Sequence, residues 1–215
     1  MDPDDADKTI LANRINEFEK SLYGGDDFSK FINLNSFADW YLINEICGNG
    51  EALQSNGYVT IDENNKLVMG PIASLEDFLG NNKAPTEGFL LRNEGWFREL
   101  FQNKEFVSLV AQRFEEMKEE LSQLSAELST MREEELLSYQ GDAALWHNIA
   151  STEAEKRQSN ACEEITKWLN NRLDWLSIRF ANDAKLAQTE RQGNNDITEF
   201  TLKSSQNGSA LLSDY

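Results

Sequence analysis

Hydrophobic side chains recur every three or four residues in several long stretches of this chain, and that spacing predicts amphipathic helices. The first such stretch covers residues 8–22 and stops at a pair of glycines. A second, residues 37–47, is apolar on nearly all sides, which is typical of a helix at the centre of a domain. We expect Asn35 or Ser36 to cap the start of this central helix and Gly48 to end it.

Two short runs of β-prone residues follow and predict a β-hairpin. Residues 58–61 and 66–69 would be its strands, and the polar residues 62–65 would form the turn. Gly70 and Pro71 end the second strand, since proline cannot donate a hydrogen bond to a strand ladder.

The second half of the chain is predicted to be helical, and it carries two long apolar seams with alternating three- and four-residue steps. The seam residues are Val110, Phe114, Met117, Leu121, Leu124, Leu128 and Met131, and then Cys162, Ile165, Leu169, Leu173, Leu176 and Phe180. Antiparallel packing within one chain would bury both seams, and an intermolecular coiled coil is the alternative. We favour self-pairing because a partner of similar length lies close in the sequence. The predicted fold class is α+β, mainly α, with one principal domain.

Composition restricts the range of partners. The 215 residues include 38 acidic and 20 basic ones, a formal net charge of -18, so a nucleic-acid backbone is excluded as a ligand. The acidic side chains are oxygen ligands suited to Mg²⁺ or Ca²⁺, but such charge more often keeps a helical surface solvated. No run of about 20 apolar residues indicates a spanning helix, and the first residues lack the features of a signal peptide.

Cysteine and histidine offer little chemistry in this sequence. Cys47 and Cys162 are isolated in apolar helical stretches, so neither a disulfide framework nor a CxxC metal site is indicated. His147 is the only histidine, and no nucleophile elbow accompanies it, so a Ser/His/Asp triad is not indicated.

Acidic residues at the ends of predicted elements are the candidates for catalysis. Glu51 comes just after the central helix, and Glu76 with Asp77 comes just after the hairpin. Functional side chains are often carried on such connections because a rigid scaffold positions them. By position alone, however, acidic residues next to a turn are most often part of a solvated loop.

Several motifs, taken together and in order, resemble the CotH (spore-coat-protein-H-like) kinase family. They are NLNSFADWYLINEI at 33–46, NGEA at 49–52, KLVMGPI at 66–72, GN at 80–81, WFRELF at 96–101, EFVSLV at 105–110 and WLNNRLDWL at 168–176. The resemblance covers about residues 30–180. It implies an atypical protein-kinase fold that uses ATP and a divalent metal to phosphorylate secreted or surface proteins. The fold expected of this chain is then the helical C-lobe, with one β-hairpin and a long antiparallel helix pair.

The chain departs from the family at the acidic positions. The family typically reads Gly-Pro-Val-Trp-Asp-Phe-Asp-Leu-Ala-Phe-Gly-Asn, and residues 70–81 match this in length, but Ser74 stands where the metal-binding aspartate is expected. Glu76 replaces the second acidic residue, and Glu51 stands where an aspartate is usual. The resemblance implies Glu51 as the base and Glu76 or Asp77 as the Mg²⁺ ligand. Whether the chain is an enzyme is left open, and a non-catalytic kinase-like scaffold or binding module is the alternative.

The resemblance also sets an expected domain organisation. A glycine- and lysine-bearing N-lobe would precede the central helix, whereas only about 30 residues do so here, so we expect that lobe to be absent from this chain. Residues 1–190 are expected to form the kinase-like domain. Residues 191–215 would be a linker and the start of a β-rich domain, since apolar residues alternate over 198–203. The family implies an extracellular or cell-surface location and a protein substrate or partner.

Overall fold

The structure is a computed structural model that describes residues 5–55, 57–72, 75, 84–146 and 151–191. In these ranges helices dominate and one antiparallel hairpin is present, as the sequence predicts. In chain order the elements are α1 (Asp5–Gly24), α2 (Leu34–Cys47), α3 (Ala52–Ser55), β1 (Val59–Ile61), β2 (Leu67–Met69), α4 (Phe97–Leu100), α5 (Lys104–Trp146) and α6 (Ser151–Arg191).

The central helix α2 begins earlier than predicted. Asn33 is the N-cap, and its side-chain oxygen accepts a hydrogen bond from the backbone N–H of Ser36 at 3.2 Å. The prediction of a cap at Asn35 or Ser36 is therefore wrong. The Ser36 hydroxyl instead donates to the Asn33 carbonyl and accepts from the Met69 backbone N–H, so it joins the helix start to the hairpin. Gly48 ends the helix with φ at +77°, as predicted.

The hairpin is confirmed, and a third segment extends it. Val59, Thr60 and Ile61 pair antiparallel with Met69, Val68 and Leu67. On the other side of β2, Ile32 forms a parallel bridge with Leu67. The Leu67 backbone donates to the Phe31 carbonyl, and the Asn33 backbone donates to the Leu67 carbonyl, each at 2.8 Å. These bonds fix the hairpin to the residues that lead into α2.

An aromatic cluster fills the core around α2. Its centre is Phe97 of α4, which is fully buried and stacks parallel to the indole of Trp40 with 5.7 Å between ring centroids. The other rings around Phe97 are those of Phe37, Tyr41 and Phe106. Aromatic rings bury large areas, so this cluster accounts for the apolar character of α2 on all sides.

Helices α5 and α6 form the predicted antiparallel pair. Along α5 the partners are Phe114 with Phe180, Ser125 with Asn170, and Arg132 with Ser159. Residue numbers rise along one helix as they fall along the other. The two apolar seams therefore pack against each other within one chain, and a coiled coil with a second chain is not needed to bury them.

The predicted seam is wrong at one position, since Met131 is 59% exposed. The neighbouring Arg132 faces α6 instead and donates to the Ser159 hydroxyl at 2.9 Å. A straight α-helix drifts by about 20° per heptad against a 3.5-residue repeat, so over three heptads the inward position moves by most of a residue.

Candidate active site

The loop after α2 carries Glu51, the predicted base, and we call residues 48–51 the Glu51 loop. Asn49 holds it to the helix twice: its backbone N–H donates to the Asn44 carbonyl at 2.8 Å, and its side-chain N–H donates to the Asn44 side-chain oxygen at 2.7 Å. The Glu51 carbonyl then accepts from Gln54 at 2.9 Å, which starts α3. The Glu51 side chain is exposed to solvent. The loop therefore presents this carboxylate from a rigid base.

Residues 84–92, which we call the anchored segment, pack against the Glu51 loop. A Cβ placed on Gly48 would lie 2.9 Å from the Cβ of Ala84 and 2.8 Å from the indole of Trp168. A Cβ on Gly50 would lie 3.7 Å from the Cβ of Leu90. Only glycine fits at position 48, because the left-handed backbone and the close approach both exclude a side chain.

The predicted metal ligands Glu76 and Asp77, and the substituted Ser74, lie outside the described residues, as do Gly80 and Asn81. The described chain on either side of them is held in place. Before them, Ile72 is partly buried against the core. After them, the Ala84 carbonyl accepts from the indole N–H of Trp168 at 2.7 Å. The segment that carries Glu76 and Asp77 therefore ends at a residue in contact with the Glu51 loop.

A fully buried ion pair lies directly beneath this contact. The Arg172 guanidinium of α6 donates to the Glu45 carboxylate of α2 at 2.6 Å, and neither side chain is exposed. The same carboxylate accepts from the backbone N–H groups of Leu90 and Leu91 at 2.7–3.0 Å. Arg172 also donates to the Glu45 carbonyl at 2.9 Å and to the Gly88 carbonyl at 2.6 Å.

Burial has opposite effects on the pKa values of the two partners. Loss of water raises the pKa of Glu45 above its usual range, although Arg172 and the two backbone N–H groups counteract this. Loss of water also lowers the pKa of Arg172, with Glu45 counteracting it. An arginine nevertheless stays protonated at neutral pH because its pKa starts so high.

A second buried ion pair holds the far end of the anchored segment. Arg92 donates to Asp183 of α6 at 2.7 Å, and its guanidinium lies over the rings of Phe89 and Phe101. Tyr41 is fully buried nearby, and burial together with the charge of Glu45 raises the pKa of its phenol. Two ion pairs, each made of one arginine and one acidic residue, thus lie in the interior between α2, α6 and the anchored segment.

Sequence reasoning missed both ion pairs. Glu45 was passed over inside an apolar helix, and Arg172 inside an apolar seam, yet a charged residue in such a place is itself a signal. A charge that is buried must be paired, so Glu45 predicts a cation somewhere else in the chain. The sequence does not show which of the 20 basic residues that cation is.

The chemistry of the acidic residues fits a magnesium ion. Carboxylate and amide oxygens are ligands that Mg²⁺ accepts, and it often takes one or two carboxylates and completes its shell with water and phosphate oxygens. Glu51, Glu76 and Asp77 supply carboxylates, and the buried Asn49 amide oxygen has no hydrogen-bond donor among the described residues. Within the described ranges, no three acidic, cysteine or histidine side chains converge as a metal cluster. His147 lies outside those ranges.

Comparison with known proteins identifies the family. Residues 2–176 match the model of the CotH kinase protein family, which is most of the chain. The chain therefore belongs to the CotH kinase family, and α2, the hairpin, α5 and the part of α6 up to residue 176 lie in the matched kinase-like region. No curated protein and no solved structure shows a significant match. In the described ranges, no helix is long and apolar enough to cross a membrane.

Proposed function

We propose that this chain is a degenerate CotH-type protein kinase domain, whose ancestral reaction transfers the γ-phosphoryl group of ATP to a protein hydroxyl. The observation that carries the proposal is the packing of Ala84 against Gly48. Ala84 closes the segment that holds Glu76 and Asp77, and Gly48 opens the loop that holds Glu51. The family match and this contact together support one site for all three carboxylates.

In this proposal the residues divide the work of phosphoryl transfer. The Glu51 carboxylate orients the attacking hydroxyl and accepts its proton, while the bond from the γ-phosphorus to the ADP oxygen breaks and a bond to the hydroxyl oxygen forms. Glu76 and Asp77 would hold Mg²⁺, and the bound ion would supply positive charge to neutralise the phosphates. The anchored Glu51 loop keeps the base in one position during this step.

The sequence changes at these positions account for the proposed degeneracy. Ser74 is neutral, so it cannot contribute the negative charge that a metal-binding aspartate would. A glutamate is one methylene longer than the usual aspartate, and displacing a catalytic group by about 1 Å costs on the order of 10²-fold in rate. We therefore expect Mg²⁺-nucleotide binding to be weak and phosphoryl transfer to be slow.

Thermal unfolding with and without Mg²⁺-ATP tests the proposal, since a ligand that binds only the folded state raises its stability. We expect a rise in Tm with Mg²⁺-ATP that is lost in Glu76→Ala and Asp77→Ala. Glu63→Ala is the matched control, because Glu63 is an exposed acidic residue of the hairpin turn. No rise at millimolar Mg²⁺-ATP, or an equal loss in the control, would refute the binding proposal.

A non-catalytic scaffold is the second candidate, and Ser74 is the observation that favours it. In that case the kinase-like domain would present its surface to a protein partner without phosphorylating it. A phosphorylation assay with labelled ATP separates the two candidates. Transfer that falls in Glu51→Gln supports the kinase, and nucleotide binding without transfer supports the scaffold.

The setting of the protein is part of the same proposal. Members of the family act on secreted or surface proteins, so we propose a protein partner and an extracellular or cell-surface location. We further propose that the kinase-like domain extends to about residue 190 and that residues 191–215 link it to a β-rich domain. Residues 192–215, including the predicted strand at 198–203, lie outside the described residues.

A further inference from the structure

We propose that the buried Glu45–Arg172 pair is a positioning device that sets the Glu51 loop against the anchored segment. Only the catalytic consequence of this positioning rests on the function proposed above. The mechanical claim, that this pair fixes two loops relative to each other, rests on contacts between described residues alone.

The contacts of Arg172 connect three parts of the molecule at one point. Its guanidinium reaches the last turn of α2 through the Glu45 carbonyl and carboxylate, and it reaches the anchored segment through the Gly88 carbonyl. The planar guanidinium fixes the directions of these bonds, which a lysine ammonium would not do. Arg172 therefore sets the distance from α2 to the anchored segment.

Glu45 completes the connection from the other side. Its carboxylate accepts from Leu90 and Leu91 while it is bound to Arg172, so both oxygens are used. The anchored segment contains neither helix nor strand. Its backbone groups must be paired elsewhere if they are buried. Glu45 of α2 pairs the N–H groups of Leu90 and Leu91, and Arg172 of α6 pairs the carbonyls of Thr86 and Gly88.

Stability alone does not explain an ion pair at this place. Removing two charges from water carries a free-energy cost for each ion, and well-packed apolar residues of similar volume are often equally good or better. What apolar residues cannot do is fix the backbone of an irregular segment in one register. Glu45 lies three residues before Gly48, so movement of this pair is transmitted directly to the Glu51 loop.

Trp168 packs the Glu51 loop against the same helix, α6. It lies one turn before Arg172 in α6, contacts Gly48, and donates to the Ala84 carbonyl. One turn of α6 thus holds both the start of the anchored segment and the start of the Glu51 loop. The position of the Glu51 loop relative to the start of the anchored segment follows from this arrangement.

The second buried pair provides a matched control. Arg92 and Asp183 are also buried at 2.7 Å and also join α6 to the anchored segment. They act at the far end of the segment, where Asp183 accepts both of its hydrogen bonds to described residues from Arg92 and none from α2. Asp183→Asn and Glu45→Gln each neutralise one buried carboxylate, so the two changes differ mainly in location.

Hydrogen exchange read by mass spectrometry tests the mechanical claim without any activity. In Glu45→Gln we expect protection to fall at least tenfold in peptides that cover residues 48–52 and 84–91, while peptides from residues 104–114 keep theirs. In Asp183→Asn we expect the loss to be confined to the end of the anchored segment and α6 around residue 183. Uniform loss across all peptides, or unchanged protection at 48–52, would overturn the proposal.

Mg²⁺ titration in the presence of ATP tests the consequence for the site. We expect the Mg²⁺ concentration at half-saturation to rise at least tenfold in Glu45→Gln and to change less than twofold in Asp183→Asn. If Glu45→Gln does not fold, Arg172→Lys replaces it, because the charge is kept and the planar contacts are lost. A similar change in both ion-pair variants would reduce Glu45 to a structural role.

The two measurements test the proposed function and the positioning claim separately, so either can be refuted without the other. If the wild-type chain binds no Mg²⁺-ATP, the proposed function is refuted, and the exchange result still decides the positioning claim. If the wild-type chain binds Mg²⁺-ATP while the exchange pattern is uniform, the function stands and the positioning claim is refuted.

Discussion

The part of the molecule that surrounds α2, which we call the body, and the distal part of the long helix pair are built in different ways. The body surrounds α2 with aromatic rings and two buried ion pairs. The distal hairpin, which we define as residues 128–146 and 151–165, has Ala143 as its only buried side chain among those described. Its polar bonds include those of Ser159 with Arg132 and Glu163. A continuous helix pair therefore does not imply a continuous core.

The exposed residues of the distal hairpin make the same point. Leu137 is 80% exposed, and Leu145 and Trp146 are 70% and 69% exposed. Apolar groups that remain in water add nothing to the hydrophobic stabilisation of the fold. The distal hairpin is thus expected to open at a lower free energy than the body, as regions with few buried contacts do.

The largest predicted effect comes from removing the cation of the buried pair. Arg172→Met leaves the Glu45 carboxylate buried without a counter-ion, so we expect a loss of about 3–5 kcal/mol in the free energy of unfolding. Urea denaturation measures it. The double variant Glu45→Gln/Arg172→Met has no buried charge and should recover part of that loss. A double variant as unstable as the sum of the two single ones would contradict the interpretation.

One substitution made in both regions tests the comparison directly. Leu169→Ala removes a buried side chain where α6 meets the body, and we expect a loss of about 2–5 kcal/mol. Leu137→Ala removes an exposed one from the distal hairpin, and we expect a change within about 0.5 kcal/mol. Equal losses in urea denaturation would mean that the distal hairpin is packed as tightly as the body.

A glycine-to-alanine substitution should change the free energy of unfolding in opposite directions in the two regions. Gly48→Ala forces a left-handed backbone and a close contact with Trp168, so we expect a loss of about 2–4 kcal/mol. Gly141→Ala lies in the helical distal hairpin with open space around the new methyl group, so we expect a gain of about 0.5–1 kcal/mol. A loss of stability in Gly141→Ala would show that the distal hairpin is constrained after all.

The smallest expected effect is on thiol reactivity. The pKa of the Cys47 thiol reports on burial in the body without disrupting its packing. Burial raises the pKa of the Cys47 thiol to about 11, so at pH 8.5 only about one molecule in 300 carries the thiolate. In Cys162→Ser we expect the rate of Cys47 with a thiol reagent to keep rising towards pH 11. The same chain unfolded in urea is the control, with its midpoint near the ordinary value of about 8.5. A folded-state midpoint near that value would mean that partial burial does not shield the Cys47 thiol from water.

Sequence patterns predicted the parts of the fold that depend on local periodicity. The hairpin strands, the end of α2 at Gly48 and the pairing of α5 with α6 all follow from residues close together in the chain. The start of α2 was misplaced because Ser36, which looks like a cap, bonds to Met69 of the hairpin. Met131 was misplaced because a seven-residue pattern drifts around a straight helix.

The candidate site was only partly accessible to the same reasoning. Glu51 is a candidate because it follows a predicted helix, and its proposed role comes from the family resemblance. Its contact surroundings were not predictable, since Ala84, Leu90 and Trp168 are distant in the sequence. Glu45 and Arg172 were missed for the same physical reason, because a long-range pairing leaves no periodic trace in either helix.

The order of protein synthesis gives the Glu45–Arg172 pair a further consequence. The two residues are 127 positions apart, so a nascent chain already contains all of α2 and the hairpin before its buried carboxylate has a counter-ion. Contacts between such distant residues form late and slow the folding of a domain. On the ribosome the aromatic cluster can collapse early, but the Glu51 loop acquires its final position only after α6 has emerged. A nascent chain stalled before Arg172 would therefore expose the body to proteases and chaperones, whereas release of α6 would protect it.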